Sequence, residues 1–560
     1  RNTNLDAASP FVNTAAKFDL NQYGGSVGGP IQKDKTFVFL DYQAKVQRKG
    51  VPYTGYVPSV AMTTPYDAAG DYDFSLDPSG VPRPGTFDGS TNSNGFPDLT
   101  NSFVDGAPLR CDGSGNPIVP DGSGAQTGGT PCNKIPGAMI NPIGASVASL
   151  YPTPNVTGAS GFNYANQPIR KLNEGTGDIR IDHNFSGNDS VFGRFSYDQA
   201  TNFVPGGSPT WSEQNAFGSN QHIENHGRNA MISETHVFSP NTINQVSFGY
   251  NRIFNHINSF GTGTCEAATL GIPGADLGAA CDAITGYPAS LNQSPKDCES
   301  CGLTSFLMNA YFSIGDRGYA PYQGGTNVYS VSDTLHLIHG KHDIAVGLTF
   351  RANQMNVRNN AFQDGFVVQS GSGTSDDIAG LLIGGMGVFA SHDQTFLGAT
   401  TGRRFKMYRP FVQDNWRVTP NLTVNIGLGW ALVTPETEVN NRMANYDVTN
   451  LTWYVPKGSP GVTGCTSCVA TDGRAGIQFD KTALEPRIGF AWKAFGSDKT
   501  VIRAAYGITH DSSWDQGGQG LWQNPPYYAE VDPCAFCLTY GVAAGSLSGG
   551  FLLTSPGTSE

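Results

Sequence analysis

The chain has 560 residues, 38% hydrophobic and 11% aromatic, with 71 glycines and a formal net charge of -12. No apolar run approaches the roughly 18 to 20 residues that a spanning helix needs, which excludes helical membrane spans. The acidic balance, with no basic stripe, excludes a nucleic-acid partner, because phosphate binding needs clustered Lys and Arg.

Residues 1–20 are expected to lie in an outer loop, and Arg1-Asn2-Thr3-Asn4 carries neither a basic start with an apolar core nor a cleavage site. The chain is therefore expected to be an internal piece of a longer protein. A first strand pair flanks Gln32-Lys33-Asp34-Lys35. In the second, Ile179, Ile181 and Phe185 alternate with Arg180, Asp182 and Asn184 before Ser186-Gly187-Asn188-Asp189 turns the chain. The return strand places Val191, Phe195 and Tyr197 on one face and Arg194, Ser196 and Asp198 on the other, because successive strand side chains point to opposite faces.

Further pairs flank Ser239-Pro240-Asn241-Thr242, His339-Gly340-Lys341-His342, Thr419-Pro420-Asn421 and Gly496-Ser497-Asp498-Lys499. All six short turns fall on one side. Long Gly/Ser/Asn/Asp-rich segments join successive pairs near 48–176, 199–228, 253–325, 353–404 and 432–483, and another follows at 510–560. Short turns at one end and long loops at the other describe an outer-membrane barrel better than a β-sandwich, whose connections tend to be short at both ends. The expected fold is all-β: an antiparallel up-and-down barrel wall of about twelve strands over 21–509, within one domain spanning 1–560.

Several segments carry a family likeness. Asn21-Gln22-Tyr23-Gly24-Gly25-Ser26-Val27-Gly28-Gly29-Pro30-Ile31, followed by Lys33-Asp34-Lys35-Thr36-Phe37-Val38-Phe39, resembles the start of the barrel in Oar-like TonB-dependent receptors. Phe411-Val412-Gln413-Asp414-Asn415-Trp416-Arg417-Val418-Thr419-Pro420-Asn421-Leu422-Thr423 resembles a second hairpin of that family. Glu485-Pro486-Arg487-Ile488-Gly489-Phe490-Ala491-Trp492, with Lys499 to Gly507, resembles a third. The resemblance implies a 22-stranded parent barrel, a lumen plug, TonB-coupled uptake of a scarce large solute and no catalysed reaction. The plug, the TonB-contact segment and the last strands of that pattern are not found between Arg1 and Glu560, so this chain is expected to form a partial wall. The solute would be an oligosaccharide, peptide or metal chelate, and outer-membrane lipid would surround the wall. The alternative is a barrel used in surface organisation, adhesion or secretion. A secreted carbohydrate-active enzyme would suit the loop tryptophans, but no carboxylate pair is identifiable.

Functional residues are sought on the polar face and in the loops. Arg180, Asp182, Asn184, Arg194, Asp198, Asn251, Arg351 and Asn425 alternate with apolar neighbours and are expected to line the lumen as a hydrated, salt-bridged wall. Trp416, Trp430 and Trp492 fall in register with the apolar face, where indoles anchor at the headgroup level. Trp211, Trp453, Trp514 and Trp522 fall in loops, where packing is the bland role and ligand stacking the sharp one.

All ten cysteines lie in predicted loops, none in a predicted strand. By proximity they pair as Cys111 with Cys132, Cys265 with Cys281, Cys298 with Cys301, Cys465 with Cys468, and Cys534 with Cys537, as loop-stapling disulfides of an exported protein. His222 and His226 have ligand spacing but sit in a predicted loop, and His336, His339 and His342 cluster at a solvated turn. No metal, cofactor or catalytic site is assigned, since no nucleophile elbow, phosphate loop or His-Glu-x-x-His motif occurs.

Overall fold

A computed structural model describes the chain apart from 1, 6, 8–14, 105, 159–160, 207–211, 214–220, 277–280, 286–300, 317–319, 360–363, 370–373, 388, 396–399, 461–464, 497–498, 512–520, 522–523, 525–526, 534–537, 543–545 and 552–560. Twelve long strands pair antiparallel in sequence order. They are β1 (Phe18–Gln32), β2 (Thr36–Gly50), β3 (Ile169–Asn184), β4 (Asp189–Val204), β5 (Gln221–Ser239), β6 (Thr242–Ser259), β7 (Tyr322–His339), β8 (His342–Asn359), β9 (Thr400–Thr419), β10 (Leu422–Trp430), β11 (Leu484–Lys493) and β12 (Val501–Gly507). The six predicted turns join β1–β2, β3–β4, β5–β6, β7–β8, β9–β10 and β11–β12, so in this up-and-down order they share one end and the long loops share the other. Among the described residues no helix is long and apolar enough to cross a membrane.

Register fixes which side chains share a face. One row runs Val38, Ile181, Gly193, Ile232, Phe248, Val331, Phe350, Tyr408 across seven strand junctions. Ile232 and Phe248 remain 51% and 54% exposed, which for side chains of this size marks a face built for hydrocarbon rather than water. The adjacent row, one residue along each strand, runs Phe39, Arg180, Arg194, Met231, Gly249, Ser330, Arg351, Met407. It mixes charge, glycine and hydroxyl with two methionines and one phenylalanine.

Indoles mark both rims of the apolar face. Trp492 pairs with Leu422 at the turn end, and Trp416 with Val424 close by. Trp430 stands eight residues up β10 from Leu422, or about 26 Å along the strand at ~3.3 Å per residue, which at a barrel strand's tilt rises roughly 20 Å across an apolar band about 25 Å tall. Histidines add to the turn rim on the same face. His183 and His236 pack edge-on against Phe185 and Phe238 at 4.4 and 4.3 Å, and His342 stacks on Trp416 at 5.5 Å.

Most strands exceed the 9 to 11 residues that cross a bilayer, and several reach further into the predicted loops than alternation indicates. The start at Phe18 shortens the expected 1–20 loop, and β5 absorbs Gln221 to Gly227 of the loop expected over 199–228. The wall is open: β1 pairs only with β2 and β12 only with β11 among the described strands.

The two faces differ in what they tolerate. Phe248→Arg, at mid-height on the apolar face, should cost ~2 to 4 kcal/mol of bilayer-folded stability. Ser332→Arg, on the opposite face beside Ser247 and Thr349, should cost less than ~1 kcal/mol. Equal losses in denaturant unfolding from vesicles would contradict the assignment of faces.

Candidate lumen wall and extracellular cap

All five charged lumen candidates fall on the polar face. Arg180 and Arg194 are cross-strand partners, Asp182 faces Phe192, Asp198 faces Thr176, and Arg351 faces Ser330. Asn251 and Asn425 share that face by register, as does Asn184. Arg180 forms an ion pair with Asp182 at 2.7 Å, its neighbour two residues along the same face. Arg194 reaches across to Asp178 at 2.8 Å, and Lys45 meets Glu174 at 3.5 Å. These half-exposed pairs hold long side chains flat along the wall, where each adds little to stability.

At the other end the loops do not hang free. Residues from the segment after β2, from the β6–β7 and β8–β9 loops, and from the region beyond β12 share one hydrophobic core. Met62, Phe74, Leu99, Ile135, Val147, Ile272, Leu303, Phe306, Ile378, Leu381, Leu382, Leu547 and Phe551 are each at most 2% exposed within it. A loop sheet reinforces this cap. Ser305–Met308 pairs parallel with Phe366–Gln369, which pairs with Phe389–Thr395, which in turn pairs with Tyr528–Val531.

Turn chemistry makes these irregular segments fold. A five-residue unit recurs at Asp67, Asp77, Asn92, Asp112 and Asp121: the side-chain oxygen accepts backbone N–H groups two and four residues on. In each unit the fourth residue is a glycine with φ between 82° and 87° that donates back to the first carbonyl. Asx turns of this kind satisfy backbone groups that have no ladder partner. The bonds also hold the Asp112 carboxyl below its ordinary range, through Asn116 and Ser114 first, and Asp121 likewise through Ser123 and Ala125.

Two short helices meet in the core, Pro142–Ala148 and Asp377–Leu382, capped by Asn141 and Asp376. A Cβ on Gly144 would lie 1.9 Å from the Leu381 carbonyl oxygen, so only glycine allows this approach. Asp376 has a second role. It accepts from Arg83 at 2.6 Å with both side chains fully buried, and from the Tyr311 hydroxyl at 2.9 Å. Burial opposes the Arg83 charge, but the facing Asp376 carboxylate raises the guanidinium above its ordinary value. Phe74 and Phe96 lie 5.7 Å from the guanidinium carbon. One ion pair thus ties three loop segments together.

Disulfides staple these loops and the β10–β11 loop. Cys111–Cys132, Cys265–Cys281 and Cys465–Cys468 have S–S distances of 2.03, 2.14 and 1.96 Å. Cys111 and Cys468 lie in short loop strands rather than outside strands as expected. Cys301 is disulfide-bonded and its sulfur lies 3.2 Å from that of Cys281, while Cys298, Cys534 and Cys537 fall outside the described residues. Of the loop tryptophans, Trp453 packs at 4.6 Å against Tyr446 beside a small core of Ala444, Val455 and Tyr527. Trp211, Trp514 and Trp522 fall outside the described residues.

The predicted histidine groupings resolve differently. His222 and His226 sit on one face of β5, about 13 Å apart along the strand, beyond joint ligation of one ion. Their rings contact Phe203 and Phe254 at 5.0 and 5.8 Å. His342 bonds Asp414 at 2.6 Å. Among the described residues the metal-type group drawn together is Asp189, Glu234 and His236, at the turn rim.

Removing Arg83 tests what holds the cap. Arg83→Met leaves the buried Asp376 without its charge partner, and such losses cost ~3 to 5 kcal/mol. The cap should become sensitive to protease at lower temperature while the wall resists as before. Arg83→Lys should recover only part, because a point charge lacks the planar fork. An unchanged cap in Arg83→Met would contradict the role given to the pair.

A model of the outer membrane beta barrel domain matches residues 1–559. No curated protein matches the chain. Similar solved structures include the ferripyoverdine receptor of the Pseudomonas aeruginosa outer membrane, at 10% identity, covering 89% of this chain and 42% of that one with a TM-score of 0.38. The outer membrane transporter YddB from Escherichia coli is 9% identical, covering 88% of this chain and 47% of that one at 0.35. The copper transporter OprC is 8% identical, covering 88% and 45% at 0.33. The chain thus spans less than half the length of each of these structures. With the family model covering nearly all of it, the chain belongs to the outer membrane beta barrel domain family and is an integral outer-membrane protein.

Proposed function

We propose that this chain forms part of the wall and the outer cap of an outer-membrane uptake receptor that captures a large, scarce solute and admits it under TonB-driven plug rearrangement. The observation that carries this reading is the cap: several loops that leave one end of a charged, polar wall converge on one core. Such an arrangement offers a preorganised outer surface for recognition and a hydrated path beneath it. The Oar-like hairpins support coupling to TonB through a plug, and the solute class follows as a metal chelate, oligosaccharide or peptide. Arg180, Asp182, Arg194, Asp198 and Arg351 would line the path, and Trp453 would offer a stacking ring at the cap. In this reading the protein moves a solute without transforming it.

The cap also supports the second reading, a surface-organising or adhesive barrel. A disulfide-stapled core anchored by a buried ion pair is stiffer than loops that must swing to release a solute.

Uptake separates the two. Cells carrying the full-length protein should accumulate a radiolabelled ferric chelate, oligosaccharide or peptide, and a protonophore or loss of TonB should abolish accumulation but leave surface binding. Binding or cell–cell adhesion that persists with no energised accumulation of any of the three classes would overturn the uptake reading in favour of the structural one.

A further inference from the structure

The lipid-facing side of the wall changes character toward the loop end. Two residues above Ile232 and Phe248 stand Ala230 and Tyr250, and two above these stand Arg228 and Arg252, directly opposed across β5 and β6. Their row runs through Tyr197 on β4 and Asn327 on β7 to Arg404 on β9. Arg48 and Lys171 form a second directly opposed pair on the same face of β2 and β3, and Lys406 lies two residues from Arg404. Arg252 is ten residues from Thr242 at the turn end and Arg228 eleven from Ser239, about 33 to 36 Å along strands that tilt by about 40°, or roughly 25 to 28 Å across the membrane. That height is the top of an apolar band about 25 Å tall, where outer-leaflet headgroups begin.

These cations have neutral partners. Arg228 donates to the Asp198 and Gly227 carbonyls at 2.8 and 2.7 Å, and its guanidinium carbon lies 3.9 Å from the centre of the Tyr197 ring. Arg252 donates to Asn327 Oδ1 at 3.0 Å, Arg48 to Asn173 Oδ1 at 2.8 Å and Arg404 to Asn356 Oδ1 at 2.9 Å. Such bonds fix the side chains along the wall and leave their charge in place. Among the described residues none of the six is ion-paired, and the acids on this face at this end are Glu224 and Asp19, the latter paired with Lys17 at 3.4 Å. Toward the turn end the sign reverses: the same face carries Asp189, Glu234, Asp333 and Asp414, with no Lys or Arg among the described residues of β2 to β9.

Below the two arginines the face is grooved. Gly193 lies between Ile181 and Ile232 with no side chain of its own, and a Cβ there would meet nothing within 4 Å. Ile179, Phe195, Phe248 and Tyr250 wall the groove, which runs up to the row of Arg228 and Arg252.

From the opposed arginines at headgroup height and the apolar groove beneath them, we propose that the outer rim of β4 to β6 binds a phosphate-bearing lipid of the outer leaflet. Arg228 and Arg252 take the phosphate, and an acyl chain lies along the groove at Gly193. Like charges directly opposite each other on neighbouring strands destabilise a sheet, and an anion shared by them replaces repulsion with charge-assisted hydrogen bonds. Guanidinium suits this role, because its planar fork matches phosphate oxygens and its weak hydration tolerates the membrane boundary. Arg48 with Lys171, and Arg404 with Lys406, extend the cationic rim to either side. The surface rests on which face meets lipid, not on what passes through the lumen, so it is separate from the uptake reading.

The experiment uses the full-length protein, delipidated in a non-ionic detergent and titrated with dimyristoyl phosphatidic acid, dimyristoyl phosphatidylcholine or inorganic phosphate, with bound lipid counted by native mass spectrometry. Wild type should bind phosphatidic acid in preference to phosphatidylcholine, and added salt should weaken that binding. Affinity for phosphatidic acid should fall at least ~10-fold in the double variant Arg228→Gln/Arg252→Gln and stay unchanged in Lys33→Gln, an exposed control at the turn end. Gly193→Leu, which keeps both arginines and fills the groove, should also weaken lipid binding. Should the double variant fail to assemble, wild type and Gly193→Leu decide. Equal binding of phosphatidylcholine and phosphatidic acid would reduce the site to general apolar contact, and displacement of phosphatidic acid by an equal concentration of inorganic phosphate would make it a free-anion site. Either result, or variants that bind as wild type does, overturns the proposal.

Discussion

Strand register is the constraint from which the rest follows. In hydrocarbon every backbone N–H and C=O must find a partner within the protein, and an antiparallel ladder meets that demand strand by strand. Because side chains alternate with period two, one slip anywhere would turn arginines toward lipid and phenylalanines toward the lumen. The row from Val38 to Tyr408 and the neighbouring row through Arg180, Arg194 and Arg351 hold the two faces apart across eight strands. Once the faces are separated, the Arg180–Asp182, Arg194–Asp178 and Lys45–Glu174 pairs lie on the polar side, and Trp416, Trp430 and Trp492 on the apolar one.

The same register gathers the loops, since every long connection leaves the same end of the wall. Proximity alone would not make them pack. Asx turns satisfy their backbone groups, Asn141 and Asp376 cap the short helices, and a buried Arg83–Asp376 pair joins segments 293 residues apart. The cap is therefore a second hydrophobic core, with water rather than lipid outside it.

The wall was legible because its signal is local. Ile179, Ile181, Phe195 and their polar partners alternate within a few residues, and turns such as Ser186 to Asp189 announce themselves. Strand ends were less so: Glu224, Asn225 and His226, opposite Thr201, Ala200 and Gln199, lie where alternation lapses, and a polar strand reads as a loop. The cap was illegible for a different reason. Met62, Phe74, Ile272 and Leu381 are isolated apolar residues in glycine-rich sequence, and nothing local tells which distant segment covers them. Arg83 likewise looks like a surface charge until Asp376 is placed beside it.

The central claim is the two-faced wall, and site-resolved accessibility tests it most directly. A nitroxide-bearing unnatural amino acid at each position from 229 to 233, in the full-length protein in bilayers, reports collision with oxygen from lipid and with a polar nickel chelate from water. Oxygen collision should peak at Ala230 and Ile232, and nickel collision at Asn229, Met231 and Ser233, with period two. A flat profile, or one with the opposite phase, would contradict the account.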